Sequence, residues 1–170
     1  STLPAVEGSD MAVFNNLSWE RGGMVTIPAG QAQGFRSVTD VDGALVKSQK
    51  LSTGEIIFRA EDVPAFGSKK YKLSRREFAS AMKLVKNNVL DNGIIRVEIH
   101  PNTGDVSSVI FNDVEFVDLN AKYAINSYRY LKADDGPEKA LAPEAAEISL
   151  KENGPLLATI LIKSKAEGCY

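Results

Sequence analysis

Few side chains in this sequence are equipped for chemistry, and their types and spacing narrow what that chemistry is. A zinc site needs three or four converging His, Cys or carboxylate ligands, and this chain has one histidine, His100, and one cysteine, Cys169, as strong nitrogen and sulfur donors. No metal site is expected within these residues. A Ser-His-Asp arrangement would need a nucleophile turn such as G-x-S-x-G, and the sequence carries neither that turn nor a second histidine. His100 precedes Pro101 at the end of a strand-like run, so we read it as a turn residue and not as a base. The glycines stand singly at turns or as Gly22-Gly23, without the spacing of a phosphate-cradling loop.

Two carboxyl groups flanking a sugar bond are the acid and base of glycoside hydrolysis. Glu61-Asp62 and Asp134-Asp135 are adjacent pairs of that type, but neighbours on a strand point to opposite faces, and in a loop they are hydrated. Both pairs are expected at the surface. The segment "YAINSYRYL" (123–131) carries more promise. Read as a strand, it puts Asn126, Tyr128 and Tyr130 on one face and Arg129 on the other. Flat aromatics beside an amide suit a sugar ring; they also suit, and more commonly serve, a sheet core with hydroxyls at its rim. These three are the candidate substrate-binding residues, and no catalytic residue is expected.

The elements that would position such groups read as strands. A composition 44% apolar and 25% charged can bury a real core and is that of a soluble globular protein. The net charge of -2, with both signs interspersed, provides no basic patch for nucleic acid or an anionic membrane. No apolar run approaches the roughly 20 residues of a membrane span, and no signal-peptide pattern opens the sequence. Cys169 can form no internal disulfide and reads as a free surface thiol, which leaves the compartment open.

Alternating or β-branched runs recur between turn dipeptides: "MVTIPA" after Gly22-Gly23, "GALVKSQKL" after Asp42, "EIIFRAEDV" after Thr53-Gly54 and "KKYKL" after Phe66-Gly67. The second half repeats the habit in "GIIRVEIHP", "DVSSVIF" and "AEISLKENGPLLATILIKS". No amphipathic helix separates the runs to make parallel crossovers, so the fold class is all-β, a β-sandwich. In "SRREFASAMKLVK", Ser74 and Glu77 stand at capping-box spacing with Phe78, Met82 and Val85 at helical intervals, yet Met82 and Leu84 also alternate as a strand would. We read residues 74–87 as a charged linker between two β units. Residues 132–147 have no apolar face and read as a solvated loop.

These residues resemble a known family. "VFNNLSWERGGMVTIP" is similar to the V-F-N-x-L-S-W-x-R segment and following strand of glycoside hydrolase family 38, the retaining alpha-mannosidases. "AEDVPAFGSKKYKL" resembles that family's V-P-x-x-G-x-x-x-Y strand, "NNVLDNGIIRVEIHPNTGDVSSVIF" its L-x-N-x-x-x-R-V-x-I-x-x-x-x-G-x-I-x-S segment, and "ISLKENGPLLATILIKSKAEG" its E-x-G-P-L-x-A strand pair. The four occur in the family's order across most of residues 11–168.

The resemblance implies a small β-sandwich over 11–73, the linker 74–87, and part of a larger, mutarotase-like sandwich over 88–170. It implies that Leu17 and Trp19 pack inward from one face of a hairpin turned by Glu20-Arg21-Gly22-Gly23. The family's zinc, nucleophile and acid/base lie in an N-terminal barrel that nothing here resembles. The chain is therefore expected to be non-catalytic and to hold no cofactor, zinc belonging to the parent. Its partners would be the catalytic barrel and, through the parent, an alpha-mannoside. The alternative is an autonomous carbohydrate-binding module using "YAINSYRYL". A partial sandwich would leave apolar faces open, so a two-fold homodimer is also expected unless 132–147 folds over them.

Overall fold

A computed structural model of the chain describes residues 10–80, 82–132 and 136–167. Asp134, Asp135 and Cys169 lie outside the described residues. The architecture is all-β: the described residues form antiparallel strands and one 3-10 turn, Pro137–Lys139, and none lies in an α-helix. Contacts divide them into two compact units. One holds the residues up to Met82 with Gly154–Leu157, the other Lys83–Asn153 with the residues from Ala158 onward.

In the first unit the strands are β1 (Asp10–Phe14), β2 (Arg21–Ile27), β3 (Ser37–Thr39), β4 (Leu45–Val46), β5 (Ser48–Lys50), β6 (Ile56–Val63) and β7 (Ser68–Ser74). They form two sheets, ordered β1-β7-β3-β4 and β2-β6-β5. Alternation gives each sheet an apolar face: along β6, Ile56, Phe58 and Ala60 are buried while Arg59 and Glu61 are exposed. With Ile27, Val38, Val63 and Tyr71 they form one core, in which the Phe58 and Tyr71 rings lie 4.9 Å apart at 59°. Such tilted pairs contribute about 1 kcal/mol beyond their burial.

The Tyr71 hydroxyl is the weak point of that core. It is buried and, among the described residues, has no hydrogen-bond partner. Burial pushes the phenol above its ordinary value, with the Glu61 backbone pulling the other way from outside hydrogen-bond geometry. An unpaired buried hydroxyl costs about 1–3 kcal/mol, so Tyr71→Phe keeps the ring packing and removes the cost. Urea unfolding of Tyr71→Phe is expected to show equal or greater stability. A loss above about 1 kcal/mol would mean that the hydroxyl has a partner.

The hairpin expected from the opening stretch is not there. β1 pairs with β7 and β2 with β6, so residues 15–20 carry the chain from one sheet to the other. Gly22-Gly23 is no turn either: it sits in β2, where the register shifts against β6 and a Cβ on Gly22 would lie 2.6 Å from the Ala60 carbonyl oxygen. Trp19, expected inside, is 60% exposed. Its backbone carbonyl, not its ring, does the structural work.

The residue that organises this corner is Asn15, which is 6% exposed. Its Nδ2 donates to the carbonyls of Trp19 (2.7 Å), Val63 (3.1 Å) and Pro64 (3.1 Å), and its Oδ1 accepts from Leu17 N (3.0 Å). The backbone completes the knot through Asn15 N to Gly67 O and Phe66 N to Leu17 O. In the same unit the Gln49 amide pairs with Leu156 and Leu157 as a backbone strand would, donating to Leu157 O and accepting from both amides.

Beyond β7, the capping-box spacing at Ser74 and Glu77 makes no helix in residues 75–80 and 82–84. Ser74 Oγ accepts from Arg76 N and Ser80 Oγ from Met82 N, local turns that compete with helical bonding.

The second unit contains β8 (Val85–Lys86), β9 (Val89–Asp91), β10 (Ile95–Ile99), β11 (Val106–Phe111) and β12 (Val114–Glu115) in one sheet, ordered β12-β11-β10-β9-β8. β13 (Glu147–Asn153) and β14 (Ala158–Lys163) pair in a second. Its interior is thin: among its described residues only Ile99 and Val117 are buried apolar side chains. Polar bonds hold the edge instead. The Glu115 carboxylate accepts from Ser108 Oγ (2.5 Å), Val109 N (3.0 Å) and Val117 N (2.8 Å). Those bonds, the Ser108 hydroxyl first, hold its carboxyl below the ordinary value of 4.5. A lowered folded pKa means that this contribution is fully present above pH 4.5 and is lost as the pH falls through the lower, folded value. The amide signals of Val109 and Val117 should therefore titrate with a midpoint below 4.5, and a midpoint at or above it would contradict the bonding.

Candidate functional site

A groove of about 500 Å³ opens on the second unit. It is built by three irregular segments, Asn102–Asp105 between β10 and β11, Asn126–Arg129, and Ala142–Ala145, with Ile162 and Ser164 at the end of β14. Irregular backbone is what the local sequence dictates. The turn at Asn102–Gly104 is closed by the His100 ring, whose Nδ1 faces Thr103 N (3.3 Å), Asn102 N (3.4 Å) and Thr103 Oγ1 (3.2 Å), while Gly104 N donates to His100 O. His100 thus shapes the groove's edge from outside its lining.

The segment "YAINSYRYL" is not the strand expected of it. Asn126 takes a left-handed conformation, φ 57°, and only isolated bridges, Val106 to Ile125 and Tyr130 to Leu141, pair the segment with the rest. The Asn126 side chain sits at the break: its Oδ1 accepts from Val106 N at 2.8 Å, sharing that N–H with the Ile125 carbonyl (3.3 Å). Asn126 and Tyr128 line the groove; Tyr130 does not. Tyr130 stacks on Tyr128 instead, centroids 6.4 Å apart and planes 24° off parallel. Tyr128 is 53% exposed, so a flat face stands at the rim.

Arg129, expected to face away, belongs to the groove with two residues the pattern did not single out. Its Nη2 donates to Ser127 Oγ (3.3 Å), and that hydroxyl donates to Asp105 Oδ2 (3.3 Å). The guanidinium also lies 4.7 Å from the Tyr123 ring centroid. The signal for Ser127 and Arg129 was their spacing of two within the tyrosine segment; Asp105 lies far along the chain and nothing local marks it. The result is a wall with one cation, the Asp105 and Glu144 carboxylates, an amide and an aromatic face. Such a wall presents hydrogen-bond donors and acceptors of both charges beside an aromatic face.

Glu61-Asp62 sits elsewhere, in the distorted part of β6 beside the β2 bulge. Glu61 pairs with Arg59 at 3.2 Å, and Asp62 has φ 51°. Both are exposed. Among the described residues no group of three or more His, Cys, Asp or Glu side chains converges to hold a metal ion. No protein-family model, curated protein or solved structure matches the chain.

Proposed function

We propose that this chain is a non-catalytic β-sandwich portion of an alpha-mannosidase-like glycoside hydrolase, which supports a catalytic barrel and lends the groove beside Asn126 and Tyr128 to the sugar pocket. The reading rests on the four ordered motifs and on one structural observation: the first unit buries an apolar core cluster, whereas the second buries few apolar side chains among its described residues. Among the described residues of the second unit, Ile94, Phe111, Val114, Phe116, Leu119, Leu150 and Leu161 are exposed, while the only buried apolar side chains are Ile99 and Val117. Large exposed apolar faces mark places that another element or a partner covers. On this reading, further strands of a larger sandwich and the flank of a barrel would supply that cover. A second copy would supply it as a two-fold dimer, which light scattering at several concentrations reports directly.

The purified chain is expected to leave an aryl alpha-mannoside intact with or without zinc, since it brings together neither a ligand set nor an opposed carboxylate pair. Zinc-dependent turnover by this chain would overturn the reading. The groove favours a second possibility, an autonomous carbohydrate-binding module, because Tyr128 and the Asp105-Ser127-Arg129 chain are accessible on this unit alone. Calorimetric titration with mannose oligosaccharides separates the two. Appreciable affinity that Tyr128→Ala abolishes identifies the module; no affinity leaves the supporting role.

A further inference from the structure

The turn joining β9 to β10 gathers, around one side-chain amide, the groups that an acyl transfer requires. We propose that Asn92 is a self-modifying site that loses ammonia to become aspartate or isoaspartate. The nucleophile is the Gly93 amide nitrogen, whose N–H donates to Asp91 Oδ1 at 2.8 Å, so a carboxylate stands ready to take its proton. Asn92 Oδ1 accepts from Ile94 N (2.9 Å) and Ile95 N (2.8 Å). Those two backbone donors converge on the oxygen that gains negative charge when its carbon is attacked. Residues 91–95 are exposed, so water reaches the product.

The step balances without any reagent beyond water. The Gly93 nitrogen bonds to Asn92 Cγ, and its proton passes by way of Asp91 to the side-chain nitrogen. The Cγ–Nδ2 bond then breaks, ammonia leaves, and a five-membered succinimide closes. Water adds to one or other ring carbonyl, and opening yields aspartate or isoaspartate at position 92.

The same dipeptide at Asn153-Gly154 is an internal control. There Nδ2 is engaged by Val85 O (3.0 Å), Oδ1 accepts from Val85 N (3.0 Å), and the Gly154 N–H is turned to Leu157 O (3.0 Å). A carbonyl replaces the carboxylate at the nucleophile, and the amide is partly buried.

The test is quantitative mass spectrometry of peptides from the chain aged at neutral pH, folded and unfolded in urea. In the folded chain, position 92 is expected to convert faster than position 153, and faster than position 92 does in urea. Asp91→Asn keeps the turn's shape and removes the base, which should slow conversion at position 92 about a hundredfold. Equal rates at 92 and 153 in the folded chain, or slower conversion at 92 folded than unfolded, overturn the proposal. So does an Asp91→Asn chain with unchanged circular dichroism that converts as fast as its parent. The comparison in the unaltered chain decides the matter should that variant not fold.

Discussion

Asn15→Ala is expected to lower the unfolding free energy by about 3 kcal/mol, the largest effect of any single polar truncation in the first unit. The substitution deletes four hydrogen bonds at once and strands the Val63 and Pro64 carbonyls at the sheet-to-sheet corner. Each bond is worth about 1 kcal/mol net, and carbonyls left dry cost more than that. Trp19→Ala provides the contrast. Trp19 is 60% exposed, so loss of its side chain should cost less than about 1 kcal/mol despite its size. Urea unfolding of the two variants orders them, and a larger loss from Trp19→Ala would restore the inward-facing hairpin that the structure replaces.

Gly104→Ala is expected to cost about as much, for steric reasons. Gly104 has φ 74°, and a side chain there pays about 1–2 kcal/mol in backbone conformation. The new Cβ would also overlap Ile162 Cγ2 and lie 3.2 Å from the Ala146 Cβ. Overpacking of that kind adds about 1–3 kcal/mol. Because Gly104 and Ile162 both line the groove, the variant should widen or collapse it, and any sugar titration with it. Ile162→Ala in the same chain should recover the overlap cost and leave the conformational cost, so the double variant is less damaged than the sum of the singles. Simple additivity in urea unfolding would mean that the two residues do not meet.

The strands were legible because alternation is a local property. "EIIFRAEDV" and "KKYKL" give β6 and β7 almost to the residue, and the all-β class follows. Which strand pairs with which was not legible. "VFNNLSWERGGMVTIP" has the look of a hairpin, but its two strands join different sheets because buried Asn15 satisfies the corner from Val63 and Pro64, about fifty residues away. Trp19 was misplaced for the same reason, since alternation predicts burial only where a strand continues. At the groove, the alternation pattern singled out Asn126, Tyr128 and Tyr130 and misread their setting: Asn126 bonds the backbone of Val106 through its side chain and takes a left-handed conformation. Arg129 is tied to Asp105 only through the Ser127 hydroxyl, a link that exists only once two separate segments meet.

The central proposal is that this β-sandwich chain serves a mannosidase-type active site whose chemistry would lie in residues outside it. The measurement that tests it most directly is turnover of an aryl alpha-mannoside by the complete gene product, with zinc supplied, beside this chain by itself. The account predicts hydrolysis with retention by the complete product, weakened by Tyr128→Ala, and none by the chain alone. An inert complete product would contradict it.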